Sequence, residues 1–249
     1  MNNDPVEGVD PFGLVEFHFR NSPGPPPPRL GSGPWGAQKP DADDKILHAR
    51  LKRLVPFVAL KYPKAAGLFG RYLANHGKPY VVPMANLLTE DAAARRFYYL
   101  YLNEAMDFAE TRNASTRFVS DWLLGFTSDP DWLRAIGSYH VYLKADVTLT
   151  DDGYIMDLLY VFYDWYDWDG WNKSFQLPGL SERYPDAVFG RLHEVGLARE
   201  YPMYGMYKTR ITWSKGQRFD ESGKLKAADG TPLPEPNRPI RSGPHLHEL

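Results

Sequence analysis

The sequence predicts an α+β fold in which an N-terminal helical layer is followed by an antiparallel β-sheet carrying one helix. Two observations carry this expectation. In the first half, apolar residues recur at helical spacing between capping and breaking residues. In the second half, Tyr139, Val141, Leu143, Ala145, Val147 and Leu149 alternate with His140, Tyr142, Lys144, Asp146, Thr148 and Thr150, the period-two signature of a half-buried strand.

Taken in order, residues 15–41 read as a linker, because the stretch NSPGPPPPRLGSGPWGAQKP at 21–40 lacks apolar residues to pack and favours an extended polyproline conformation. A helical part is expected over residues 42–136. Its first helix starts at Asp43 and Asp44, carries Ile46, Leu47, Leu51, Leu54 and Val55 on one side, and is expected to end at Pro56. A second is framed by Pro63 and Gly77. Thr89 is the expected cap of a third and longest helix, with Glu90 and Asp91 in its first turn and Phe97, Leu100, Tyr101, Glu104 and Phe108 along one side. A short fourth helix is expected over residues 116–125, before the turn signal Asp129-Pro130-Asp131.

The β part is expected over residues 137–215. The alternating strand meets the turn Asp151-Asp152-Gly153, and residues 154–163 continue as a strand apolar on both faces, so the pair reads as a hairpin. Residues 186–200 read as a helix with Val188, Leu192 and Val195 on one face, and residues 204–214 return to strand. From about Gly216 onward the composition turns proline-rich again, an extended tail.

Composition narrows the function classes. With 43% hydrophobic and 24% charged residues among 249, the chain is long and apolar enough to bury a core. Its formal charge of -2 provides no overall field for a polyanion, so nucleic acid is not an expected partner. There is no cysteine, which excludes disulfides, thiol nucleophiles and thiolate metal sites. No apolar run reaches the ~20 residues needed to span a bilayer, and no signal-peptide pattern precedes the folded part.

Residues 3–14 read NDPVEGVDPFGL. This segment closely resembles the junction where an Rhs repeat shell ends and a variable toxin begins. The resemblance implies a C-terminal toxin domain of an Rhs-type, type VI secretion polymorphic toxin, with self-cleavage after Leu14 and the proline-rich stretch as its exit leash. It further implies an effector delivered into a target bacterial cell, with the compartment of action, periplasm or cytoplasm, left open. A cognate immunity protein and the Rhs shell of the parent chain are the implied partners.

The chemistry-bearing segment is residues 160–173, YVFYDWYDWDGWNK, in which Asp164, Asp167 and Asp169 alternate with Tyr163, Trp165, Tyr166, Trp168 and Trp171. Clustered carboxylates at a strand end can hold Mg²⁺ through oxygen, or divide acid and base roles between them. An Asp-Trp-Asp-Gly sequence is also an ordinary way to leave a sheet, with carboxylates accepting backbone hydrogen bonds. His193 is a further catalytic candidate, although a lone helical histidine is more often a packing residue. His140 lies on the polar side of its strand and can point toward the same region, and Arg183 or Arg191 can bind phosphate. His245 and His247 form a His-x-His pair in the tail.

The order of strand, turn, a strand ending in Asp164-x-Tyr166-Asp167, a helix containing Arg191-Leu192 and a last strand, over residues 137–214, is similar to the catalytic domain of colicin M. That resemblance implies Mg²⁺-dependent hydrolysis of the lipid-linked peptidoglycan precursor at a membrane surface. In it Mg²⁺ is held by one or more of Asp164, Asp167 and Asp169 while a neighbouring carboxylate positions water, Tyr166 orients and Arg183 clamps the leaving phosphate. The family's His-Arg pair is missing: Lys173 and Ser174 stand there, and the nearest substitute is Glu182-Arg183, which leaves the acid/base unassigned. Residues 166–170 and 196–201 also resemble uncharacterised toxin-type domains of type VI secretion effectors. Two other classes compete: a toxin that targets a membrane or protein without covalent chemistry, suggested by the aromatic density, and a cytosolic nuclease or nucleotide-modifying toxin. The basic residues Lys45, Arg50, Lys52 and Arg53, which a nuclease would use, read first as the solvated side of the first helix.

Overall fold

A computed structural model describes residues 19–28, 31–168, 174–176 and 183–227. In chain order the elements are β1 (Phe19–Arg20), α1 (Ala42–Ala59), α2 (Pro63–Leu73), β2 (Tyr80–Val81), α3 (Met84–Glu90), α4 (Ala92–Arg112), β3 (Thr116–Ser120) and β4 (Leu123–Phe126). There follow α5 (Pro130–Ala135), β5 (Ser138–Thr150), β6 (Gly153–Tyr166), β7 (Ser174–Gln176), β8 (Arg183–Pro185), α6 (Asp186–Glu194), β9 (Tyr201–Trp213), β10 (Arg218–Phe219) and β11 (Leu225–Lys226). The architecture is α+β: helices first, then a mostly antiparallel mixed sheet with helices interspersed.

The sheet has the order β1-β3-β5-β6-β9-β2, and β4 also pairs with β5. The long β5–β6 hairpin forms its centre, in register from Thr150↔Gly153 to His140↔Tyr163, and β6 pairs along its whole length with β9. Only β2 on β9 is parallel among the described ladders of this sheet. The alternation expected for β5 is observed: Tyr139, Val141, Leu143, Ala145 and Val147 are buried. From β6 the even-numbered Tyr154, Met156, Leu158, Tyr160 and Phe162 join them. The helices lie on this face, with Tyr98 and Tyr101 of α4 meeting the Tyr160 ring edge-on at 5.1 and 6.2 Å.

Several local expectations are corrected. Helix α1 runs through Pro56 to Ala59, because Leu51 and Val58 are buried on either side of the proline while Pro56 itself stays exposed. Asp91, not Thr89, caps the longest helix, accepting from the Ala94 amide at 2.7 Å. Residues 116–126 are two short strands rather than a helix, since β5 offers them an unpaired edge. Where β3 gives way to β4, the Ser120 hydroxyl accepts from the Leu143 amide at 2.9 Å and bridges the gap in the ladder.

The proline- and glycine-rich segment is not a free leash over residues 31–40. Gly36 and Gln38 donate their amides to the His193 and Glu194 carbonyls at 3.1 and 2.9 Å, and Trp35 donates its indole N–H to Asn75 at 3.0 Å. Nor is the start of the tail extended: β10 and β11 form a small hairpin fastened to α4 by Arg218 on Glu110 at 2.7 Å and by Asn103 on Phe219. Residues 1–18, including Leu14, and residues 228–249, including His245 and His247, lie outside the described residues.

Candidate functional site

The candidate site is the end of β6 and the chain just beyond it. Tyr166 is the last core-facing residue of the strand; its ring stacks on Tyr201 of β9 at 5.1 Å and meets Trp168 edge-on at 5.7 Å. Trp168 packs in turn on Phe189, Phe69 and Tyr72 at 4.5, 5.9 and 5.9 Å. A buried carboxylate fixes the backbone here: one Glu200 oxygen accepts from the Trp168 amide and the Ser32 amide, each at 3.1 Å. The Ser32 hydroxyl closes the arrangement by donating to the Trp168 carbonyl at 2.9 Å. This packing requires glycine at 190, where a Cβ would sit 2.4 Å from Ser32 Oγ and 3.0 Å from the Trp168 oxygen.

Against this rigid frame the expected site residues fall in different places. Asp164 lies on the helix-covered side of β6 opposite Met203 and is half-buried; Asp167 follows the strand end and is also half-buried. Tyr166, expected to orient substrate, is a core ring instead, 8% exposed. Burial pushes its hydroxyl well above the ordinary tyrosine value, and the Asp186 carboxylate pushes it the same way, so it remains a protonated phenol. His193 is 2% exposed, and its Nδ1 accepts the Glu200 amide at 3.0 Å. That bond makes it a packing residue holding the clamp, with the proton of the neutral ring on Nε2.

Arg191 is also committed to structure. It bridges α6 to α1 through Asp44 at 3.1 Å and reaches Gln38. Arg183 is exposed on β8, paired in register with Gln176. His140 stands opposite Tyr163 on the face of the sheet away from the helices, the opposite side from Asp164. The aromatic cluster is divided the same way: Trp165 donates its indole N–H to the Tyr163 hydroxyl at 2.6 Å on the face away from the helices, whereas Trp168 is packed among core rings. Asp169, Trp171 and Lys173 lie outside the described residues.

Two residues important here were missed by sequence reading, Glu200 and Asp186. Glu200 resembles any helix-end acid until the chain folds back on it; Asp186 carried a legible signal, a Pro-Asp helix start. Among the described residues no group of three or more His, Cys, Asp or Glu is placed to hold a metal ion. Asp164 and Asp167 are nevertheless the oxygen donors that Mg²⁺ takes, which commonly needs one or two carboxylates beside substrate phosphates. No protein-family model, curated protein or solved structure matches this chain.

Proposed function

We propose that this chain is the toxin end of an Rhs-type antibacterial effector, freed after Leu14, and that it hydrolyses a lipid-linked pyrophosphate, the peptidoglycan precursor, with Mg²⁺. The observation that carries the reading is the contrast at the end of β6. Trp168 is immobilised by Glu200, Ser32 and four aromatic rings, while Asp164 and Asp167 on either side of Tyr166 keep part of their surface open to solvent. A rigid frame carrying reachable carboxylates is what hydrolytic chemistry needs. Mg²⁺ held by one or more of Asp164, Asp167 and Asp169 would supply charge neutralisation at the pyrophosphate oxygens. The chain's own contribution is a carboxylate that positions water and, from Arg183, a cation for the leaving phosphate. Tyr166 acts from within the core by fixing the strand end on which both aspartates stand.

A second reading, a toxin that grips a protein or membrane target without covalent chemistry, draws on the sheet face away from the helices. There Trp122 lies against Tyr142 and Tyr163 at 4.7 and 5.8 Å, and Tyr204 and Met206 are 45% and 51% exposed.

The deciding experiment expresses residues 15–249 in the bacterial cytosol and, separately, with a periplasmic signal, comparing growth for wild type, Asp164→Ala and Asp167→Ala. The expected result is killing from the periplasm alone, abolished by either substitution with the circular dichroism spectrum unchanged. Killing from the cytosol that survives both substitutions would sink the carboxylate site.

A further inference from the structure

The three most exposed of the described large hydrophobic side chains all belong to one helix and its cap. Ile46, Phe57 and Leu60 are 66%, 65% and 86% exposed. At about 100° per residue, these three project within about 60° of one another on the helical wheel, with Arg53 among them and Arg50 just beyond Phe57. Lys45 and Lys52 lie together about 60–80° beyond Leu60 on one side of the stripe, and the exposed Asp43 lies about 40° beyond Phe57 on the other. Residues 45–62 carry five basic side chains, Lys45, Arg50, Lys52, Arg53 and Lys61, and no acidic one, in a chain whose formal charge is -2. The opposite side of α1 is the packed one, through Leu51, Val58, the Asp44–Arg191 ion pair and His48 Nε2 on the Leu73 carbonyl at 2.8 Å. Ile46, Phe57 and Leu60 therefore take no part in the buried core.

We propose that the outer face of α1 is a docking surface for an anionic lipid bilayer. In this arrangement the helix lies along the headgroups, Ile46, Phe57 and Leu60 enter the boundary with the acyl chains, and Lys45, Lys52, Arg53 and Lys61 meet lipid phosphates. Two features select this occupant. Ile46 and Phe57 stand about 16 Å apart along the axis at ~1.5 Å per residue, with arginines between them. That is too dispersed for the dry apolar centre of a protein interface, but suits a fluid surface that closes around separate side chains. Nucleic-acid backbone would use the cations and leave the apolar stripe without a role, whereas lipid uses both. The surface stands on a different element from Asp164 and Asp167, and its binding does not depend on their chemistry.

The test uses the full chain and sucrose-loaded vesicles of phosphatidylcholine alone or mixed with phosphatidylglycerol. Binding to the anionic vesicles is expected to be at least ~10-fold tighter than to the neutral ones and to weaken in high salt. The double variant Phe57→Ser with Leu60→Ser, both at exposed positions, should lose about 10-fold in partitioning with its spectrum unchanged. Because the protein has no cysteine, Leu60→Cys carrying an environment-sensitive dye gives a second readout, a blue shift on anionic vesicles. Equal binding to both vesicle types, an unshifted dye, or a double variant that binds like wild type would overturn the proposal. The last of these would leave only a general affinity for polyanions, which duplex DNA should then share.

Discussion

Asp91 shows how much of the fold can hang on one side chain. It is completely buried, and its two oxygens accept from the amides of Ala94, Ser128 and Asp129 at 2.7, 2.7 and 2.6 Å, capping α4 and pinning the turn that starts α5. Asp91→Ala removes the acceptor from three amides, the buried one of Ala94 and the part-buried ones of Ser128 and Asp129, and should cost about 2–4 kcal/mol in urea unfolding; a loss within error of zero would mean that water replaces the carboxylate. Asp131 works similarly across the chain, accepting from Lys64 and Ala65 at 3.0 and 2.9 Å at the start of α2, where the N-cap residue Tyr62 provides no side-chain cap. Glu110 makes stability depend on pH. Burial alone would raise its carboxyl, but Arg218, the Trp213 indole and the Gly216 amide together hold it below the ordinary glutamate value. Its contribution is therefore full above the usual range near ~pH 4 and fades as pH falls through the lower folded value. Melting midpoints followed down through that window should fall more steeply for wild type than for Glu110→Gln; parallel curves would show that the carboxylate contributes nothing.

Among the elements, the hairpin β5–β6 was legible because twelve residues of alternation admit one backbone geometry. The short strands β3 and β4 were not, since segments of five and four residues, TRFVS and LLGF, are too short to display a period and fit helix or strand until a neighbouring edge pairs with them. The segment 31–40 was misread for a related reason: its own side chains cannot form a core, yet its amides satisfy the carbonyls at the end of α6. Gly190 allows that segment its close approach. Gly190→Ala would push a methyl group against Ser32 and the Trp168 carbonyl. The substitution should destabilise by about 1–3 kcal/mol and remove hydrogen-exchange protection from the Ser32 and Gly33 amides while α6 keeps its own. Unchanged protection at Ser32 would show that the segment is held by its other bonds.

At the scale of the whole molecule, the helical part and the β part read from sequence share one core. Leu51 and Tyr72 from the helices belong to the same buried cluster as Tyr139, Phe162 and Trp213 from the sheet. Unfolding should accordingly be one transition, with near- and far-ultraviolet dichroism coincident in denaturant; separated midpoints would mean that the helices and sheet are independent cooperative units. The sequence by itself determined the α+β class, the central hairpin, the longest helix and the location of the carboxylate segment, because each is written in a local period or in adjacent residues. Only the tertiary structure decided which residues of that segment face the helices and which face away from them, that Tyr166 and His193 are buried, and that Glu200 clamps Trp168. Those outcomes depend on register and packing between residues far apart in the chain, such as Ser32 with Trp168 or Tyr72 with Phe189, and no local pattern encodes a partner more than a hundred residues away.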